Sequence, residues 1–191
     1  MNVSAFIPIK KFITSKKRLS KIISSSERES LAASMANNTI DILSKSKICD
    51  SITVVTNDNN LSFNHSNSYF TELPLNQGLD EAIKLDVNHE NILIMHADLP
   101  RINEFDLQKL VGSYMTQKVS IVSDLQKQGT NCLMFSASMK FQLKFGLDSY
   151  NLFQQEFKTN GINYQDINIP SLQDDLDSEE DYFKLIKYIK S

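Results

Sequence analysis

The sequence predicts an α/β fold: one mostly parallel sheet covered by helices on both faces. Three observations carry this. Short apolar runs alternate with amphipathic segments along the whole chain, the pattern of strand–helix–strand units. The apolar runs Val3–Ile9, Ser51–Thr56 and Asn91–Met95 are near-continuous rather than alternating, as expected of strands buried on both faces. No internal repeat, linker or composition break interrupts the 191 residues, so residues 1–191 read as a single domain.

The elements follow in order. Val3–Ile9 is a strand closed by Pro8, and Lys10–Lys21 is a basic loop or helix start. Ser24-Ser-Ser-Glu27 offers a capping box, with Ser26 and Glu29 as a second register, for a helix that buries Leu31, Met35, Ile40 and Leu43 and ends near Ser46. Ser51–Thr56 is the next strand. Residues 60–75 are irregular, with an edge strand near Tyr69–Glu72. Asn76–Val87 is a helix, Asn91–Met95 the central strand, and Asn103–Thr116 a helix with Phe105, Leu107, Leu110 and Val111 turned inward. Lys118–Ser123 and Asn131–Ala137 are strands around a polar loop. Asp148 caps a helix carrying Leu152, Phe153 and Phe157 that closes at Gly161. Ile162–Ile169 is a late strand, and Ser178 caps a last helix with Tyr182, Leu185, Ile186 and Ile189 on one face.

Composition removes several classes of function. A net charge of −3 does not favour nucleic acid or an acidic membrane. Two cysteines, Cys49 and Cys132, make neither a disulfide framework nor a zinc site and read as reduced thiols of a cytoplasmic protein. The first residues have no basic leader, and no apolar run is long enough to span a bilayer. No Ser-His-Asp order, Cys-His pair or metal-type histidine spacing is present; His65 and His89 lie in polar loops.

Ligands of open α/β sheets bind beyond the carboxyl ends of the strands. After the first strand come Lys10, Lys11, Lys16, Lys17 and Arg18, five of the chain's 20 Lys and Arg residues. After the central strand comes Asp98, after the strand ending at Ser123 comes Gly129-Thr130-Asn131, and after the late strand come Asp174, Asp175 and Asp177. Each piece has an ordinary reading: a solvated basic face, a turn-forming Asp, a loop glycine, an acidic first helical turn. Together they send cations and carboxylates to one rim. Carboxylate oxygens select a hard metal such as Mg²⁺, and Lys and Arg beside it meet phosphates. That is the equipment of phosphoryl or nucleotidyl transfer.

Ile7-Pro-Ile-Lys10 followed by Ser15-Lys-Lys-Arg-Leu19 resembles the opening of the 2-phospho-L-lactate guanylyltransferases of coenzyme F-420 biosynthesis. Further segments agree in order: Ser26-Glu-Arg-Glu with Leu31-Ala, Gly78-Leu-Asp-Glu-Ala82, Ala97-Asp-Leu-Pro100, Gly129-Thr-Asn131, Phe145-Gly with Ser149, and Asp175-Leu-Asp177-Ser-Glu-Glu-Asp181. The resemblance implies a Rossmann-like α/β/α sandwich of the nucleotide-diphospho-sugar transferase (GT-A-like) type. It implies transfer of GMP from GTP to the phosphate of 2-phospholactate or phosphoenolpyruvate, with release of pyrophosphate. Mg²⁺ would be held by Asp98, Asp175 and Asp177. Pro8, Lys10, Lys16, Arg18, Gly78 and Asp80 would bind the nucleotide, Lys10, Lys16 and Arg18 acting on the triphosphate. Thr130, Gly146 and Ser149 would bind the acceptor's phosphate, and a homodimer is implied as well.

The chain departs from the family at three places. His96 stands where the family has Pro, Asp80 where it has Asn, and Asp124-Leu-Gln-Lys-Gln128 where it has an Arg- and Gly-rich stretch. Two other readings remain at this point. One is a different nucleotidyltransferase of the same fold, although such enzymes open with a glycine-rich loop and residues 8–19 contain no glycine. The other is a non-catalytic nucleotide-binding protein.

Overall fold

The computed structural model describes residues 2–86 and 90–189. Seven strands form one sheet in the order β3-β2-β1-β4-β6-β5-β7. These are β1 (Val3–Ile9), β2 (Ser51–Thr56), β3 (Asn67–Phe70), β4 (Asn91–Met95), β5 (Val119–Ser123), β6 (Thr130–Ser136) and β7 (Gln165–Asp166). All neighbours pair in parallel except β6, which runs antiparallel to both β4 and β5. The helices are α1 (Ser25–Ser46), α2 (Leu75–Leu85), α3 (Glu104–Gln117), α4 (Ser149–Thr159), α5 (Pro170–Gln173) and α6 (Glu179–Leu185).

Helices cover both faces, so the central strands are apolar throughout. One face packs Val3, Ala5, Ile7 and Met134 against Ile40 and Leu43 of α1, Leu110 and Tyr114 of α3 and Leu172 of α5. The other packs Phe6, Ile94 and Leu133 against Leu79 of α2 and Phe153 and Phe157 of α4. Proline in a central strand lacks a ladder donor. Pro8 is tolerated because β4 pairs with β1 only as far as Phe6. A third cluster, outside the sheet, buries Leu19, Leu31, Met35, Leu176 and Leu185 together; it fastens the basic loop to the acidic one.

Several expectations are corrected. The capping box at Ser24 and Glu27 forms; the second register does not, because Ser26 is already inside the helix. Phe105 is exposed, with the Lys109 ammonium over its ring. It lies about 200° around the helix from Leu107, so the two cannot share a buried stripe. Val111 packs partly buried at the edge of the core. Leu152 is also exposed, one position off the stripe made by Tyr150, Phe153 and Phe157. Asp148 precedes α4 as expected, but at φ 57° and without a side-chain capping bond. The edge strand is Asn67–Phe70, two residues earlier than expected. The late strand contracts to Gln165–Asp166, although Ile167 still donates its N–H to the Ile121 carbonyl. The register of the β5–β6 pair shifts between Val122 and Ser123, with Asn131 of β6 as the extra residue. The Ser178 box forms with Asp181, and Ile186 falls in a following 3-10 turn. α2 begins at Leu75; its expected end at Val87, and His89, lie outside the described residues.

Glycine 78 is explained by packing. A Cβ there would come within 2.8 Å of Thr71 Cγ2, beside Val55, so α2 lies against the sheet only because residue 78 has no side chain. Buried Tyr114 joins α3 to the sheet by donating its hydroxyl to Asn91 Oδ1 at 2.5 Å. Tyr114→Phe leaves that acceptor buried without its donor. The expected cost is about 1–2 kcal/mol, read by urea denaturation, with no change in m-value.

Candidate functional site

β1 and β4 are adjacent and parallel, so Ile9 and Met95 finish at the same rim. β6 is antiparallel to β4, with Cys132 opposite Met95. Its first residue, Thr130, therefore reaches this rim as well, together with Ser123 at the end of β5. The rim thus gathers the basic loop after β1, the Ala97-Asp98 segment after β4, the β5–β6 loop and the chain following α5.

The basic loop makes two 3-10 turns, Phe12–Thr14 and Lys17–Leu19. Between them Lys16 takes the left-handed conformation, φ 52°, which costs a non-glycine residue roughly 1–2 kcal/mol. Its side chain is turned inward and is only 6% exposed. The Nζ donates to Asp98 Oδ2 at 2.7 Å and to Asp177 Oδ1 at 2.8 Å. Arg18, mostly exposed, reaches Asp177 at 3.9 Å. Lys10 follows β1 on the exposed surface.

The acidic segment is fixed from two sides. Leu176 is fully buried and donates its N–H to the Asp98 carbonyl at 3.1 Å. Asp175 and Asp177, on either side of it, are thereby held at Asp98. Asp174 is placed otherwise: it is buried, takes Lys184 Nζ at 2.7 Å and is paired with Arg101.

The charges shift one another. Burial alone would lower the Lys16 ammonium, but Asp98 and Asp177 outweigh it and push it up to about 12. Burial alone would raise the Asp98 carboxyl; Lys16 and then His96 outweigh it and hold it below its ordinary value. Asp175 is pushed up to about 7, first by burial, then by the charges of Asp98 and Asp177. Asp98 Oδ1 is buried and has no hydrogen-bond partner among the described residues. Nor do the described residues draw three or more His, Cys, Asp and Glu side chains into a group that could hold a metal ion; the Lys16 ammonium stands between the carboxylates of Asp98 and Asp177.

The second half of the rim is neutral. Thr130 and Ser149 are buried, and the intervening chain is tied up by Tyr150 N–H donating to the Gln128 carbonyl at 3.1 Å. Gly146 has φ 126°, a conformation that only glycine adopts without strain. Of the other predicted residues, Gly78 lies buried under Thr71, and Asp80 faces solvent and pairs with Lys84 in its own helix. The roles of two residues went unrecognised in the sequence, although Asn131 stood within the Gly129-Thr130-Asn131 segment. Asn76 exchanges both amide bonds with the Phe145 backbone, donating to its carbonyl at 3.0 Å and accepting its N–H at 2.8 Å. Asn131 donates to the Leu172 carbonyl at 3.1 Å. An Asn inside the first turn of a helix is a poor helix former unless its amide is used elsewhere; that was the available signal for Asn76.

Residues 3–188 match the family described as Guanylyl transferase CofC like. The chain belongs to this family. It is similar to a phosphoenolpyruvate guanylyltransferase of Sphaerobacter thermophilus, 24% identical over 97% of this chain and 93% of the relative. A 3-phospho-D-glycerate guanylyltransferase of Colwellia psychrerythraea is 26% identical over 95% and 90% of the two chains. A 2-phospho-L-lactate guanylyltransferase of Methanosphaera stadtmanae is 28% identical over 87% and 75%. Among solved structures, 4-diphosphocytidyl-2C-methyl-D-erythritol synthase from Anaerococcus prevotii superposes with a TM-score of 0.66 at 12% identity, over 99% of this chain and 96% of that one. A nucleotidyl transferase from Methanothermobacter gives 0.63 at 12% identity over 97% of both. The CofC-like chain therefore has the expected nucleotide-diphospho-sugar transferase type of fold, and its activity class is nucleotidyl transfer. Among the described residues, no helix is long and apolar enough to cross a membrane.

Asp175 gives the CofC-like site a pH signature. Its folded value, about 7, lies above its ordinary 3.8, so the folded state holds a proton that the unfolded state has released. The resulting stability is present below about pH 4 and is lost as pH rises toward 7. Asp175→Asn is expected to remove that decline and to raise the thermal midpoint at pH 8 without divalent cation, as measured by melts from pH 4 to 8.

Proposed function

We propose that the chain transfers GMP from GTP to the phosphate of a small phospho-acid, phosphoenolpyruvate or 2-phospholactate, and releases pyrophosphate. It would do so as a cytoplasmic enzyme of coenzyme F-420 biosynthesis, with a homodimer as its assembly. The observation that carries this is the convergence of Lys16, Asp98 and Asp177 at one strand-end rim, with Arg18 beside them. The names of the relatives supply the acids.

The donor set fits a hard divalent cation. It is made of carboxylate oxygens, and one of them, Asp98 Oδ1, is buried with no described partner. Asp98, Asp175 and Asp177 would hold Mg²⁺, which would supply charge neutralisation at the phosphates. Lys16 would then exchange its two carboxylates for triphosphate oxygens, joined by Lys10 and Arg18, and together they stabilise the departing pyrophosphate. Pro8 and Gly78 would lie on the nucleotide side, with Asp80 at its margin. Thr130, the Gly146 backbone and Ser149 receive the acceptor's phosphate.

The chemistry is a single in-line displacement. An oxygen of the acceptor's phosphate forms a bond to the α-phosphorus of GTP, and the bond from that phosphorus to the bridging oxygen breaks, with pyrophosphate carrying away the electron pair. The attacking phosphate is already ionised at neutral pH, so no general base is required. The protein's work is to hold two polyanions in line and to absorb charge on the leaving group.

Pyrophosphate release is the test, with Mg²⁺, each NTP and each acid supplied separately. The reading expects release only with GTP and one acid; silence across the full panel in folded protein would contradict it. Asp98→Ala is expected to abolish turnover and keep the circular dichroism of the parent. Retention of more than about a tenth of the rate would remove Asp98 from the metal site, given the several kcal/mol such an ion supplies.

A further inference from the structure

The last residue of β5 lies directly across the ladder from the first residue of β6: Ser123 pairs with Thr130 at the bulge that follows Val122. Residues paired across antiparallel strands share a face, with Cβ atoms about 5 Å apart. Ser123 is 1% and Thr130 0% exposed. A Ser–Thr pair in that position ordinarily hydrogen-bonds across the strands. Here neither hydroxyl has a partner among the described residues. A buried hydroxyl left unpaired is unfavourable, and two at one rim position, at a bulge that redirects the strand, point to a ligand outside the protein's own bonding.

We infer that Ser123 is a second acceptor-binding hydroxyl, acting with Thr130 to donate to two oxygens of one anionic group of the phospho-acid. The inference rests on the placement of the acceptor at Thr130 and Ser149. Two hydroxyls on side chains whose Cβ atoms lie about 5 Å apart can each donate to a different oxygen of one phosphate or carboxylate. The neighbouring loop cannot serve instead of Ser123. Asp124 already accepts the N–H groups of Gln128 and Gly129 at 2.8 and 2.7 Å, and a Cβ on Gly129 would meet Asp124 Oδ2 at 2.9 Å. That closed turn holds Ser123 and Thr130 opposite each other.

Ser120 provides an internal control. It too is buried with an unpaired hydroxyl, but it sits three residues back along β5, roughly 10 Å from the rim, opposite Met134. Ser123→Ala, Ser120→Ala and Thr130→Val are compared by calorimetric binding of phosphoenolpyruvate, 2-phospholactate and 3-phosphoglycerate, in the presence of Mg²⁺ and a non-hydrolysable GTP analogue. Thermal melts are recorded without ligand. Ser123→Ala is expected to weaken binding of the preferred acid by roughly tenfold or more, as loss of a hydrogen bond to a charged group does. Its unliganded midpoint should be unchanged or higher, and its nucleotide affinity unchanged. Ser120→Ala should match it in the melts and bind the acid normally. A lower unliganded midpoint for Ser123→Ala would show that the hydroxyl is held within the protein and overturn the inference. Unchanged acid binding in Ser123→Ala, with weakened binding in Thr130→Val, would overturn it and leave the acceptor site standing. Unchanged binding in both, or no binding in the parent, would overturn the acceptor site as well.

Discussion

The rim depends on one buried ammonium. Lys16 Nζ lies 2.7 Å from Asp98 and 2.8 Å from Asp177, and a cation removed from water is tolerable only with such company. The contact fixes three distant stretches of chain at once. It holds the basic loop in a left-handed turn that residue 16 would not choose alone. It is reinforced by apolar contacts rather than by more charge: Leu19, one residue after Arg18, and Leu176, between Asp175 and Asp177, are buried in one cluster. The leucines set the positions and the charged residues between them supply the chemistry.

The same arrangement explains why Asp175 is pushed up from ordinary carboxylate behaviour while Asp98, beside the Lys16 ammonium, is held below it. A single ammonium satisfies two carboxylates, and the third is left among like charges in a partly buried place. A further cation at this point would relieve that repulsion. The antiparallel β6 supplies the other half of the site. By running against β4 it presents its first residue, Thr130, where a parallel strand would present its last, and so puts a buried hydroxyl beside the charged groups. Asn76 ties α2 to the chain before α4, since it is bonded to the backbone of Phe145 beside Gly146.

Much of this was legible in the sequence, for physical reasons. Strands buried on both faces, such as Asn91–Met95, are written as unbroken apolar runs, and capping boxes such as Ser24–Glu27 and Ser178–Asp181 are local chemistry. The gathering of Lys16, Asp98 and Asp177 followed from the strand-end rule. What escaped depends on contacts between distant segments. Phe105 and Leu152 lie one step off their stripes, where periodicity alone is ambiguous. The late strand pairs with β5 only at Gln165 and Asp166, at the edge of the sheet, and no residue in 162–169 announces so short a ladder. Gly78 read as part of a nucleotide motif, yet its first requirement is the approach of Thr71. Asp174 looked equivalent to Asp175, but only the fold gives it Arg101 and Lys184.

The central claim is that Asp98, Asp175 and Asp177 form a cation site used together with bound nucleotide. Electron paramagnetic resonance of Mn²⁺ tests it directly, on protein saturated with a non-hydrolysable GTP analogue, for the parent and for Asp98→Ala. The account predicts a protein-bound Mn²⁺ signal distinct from free Mn²⁺–nucleotide in the parent, and its loss in the variant while the analogue stays bound. Identical spectra from the two proteins would contradict it.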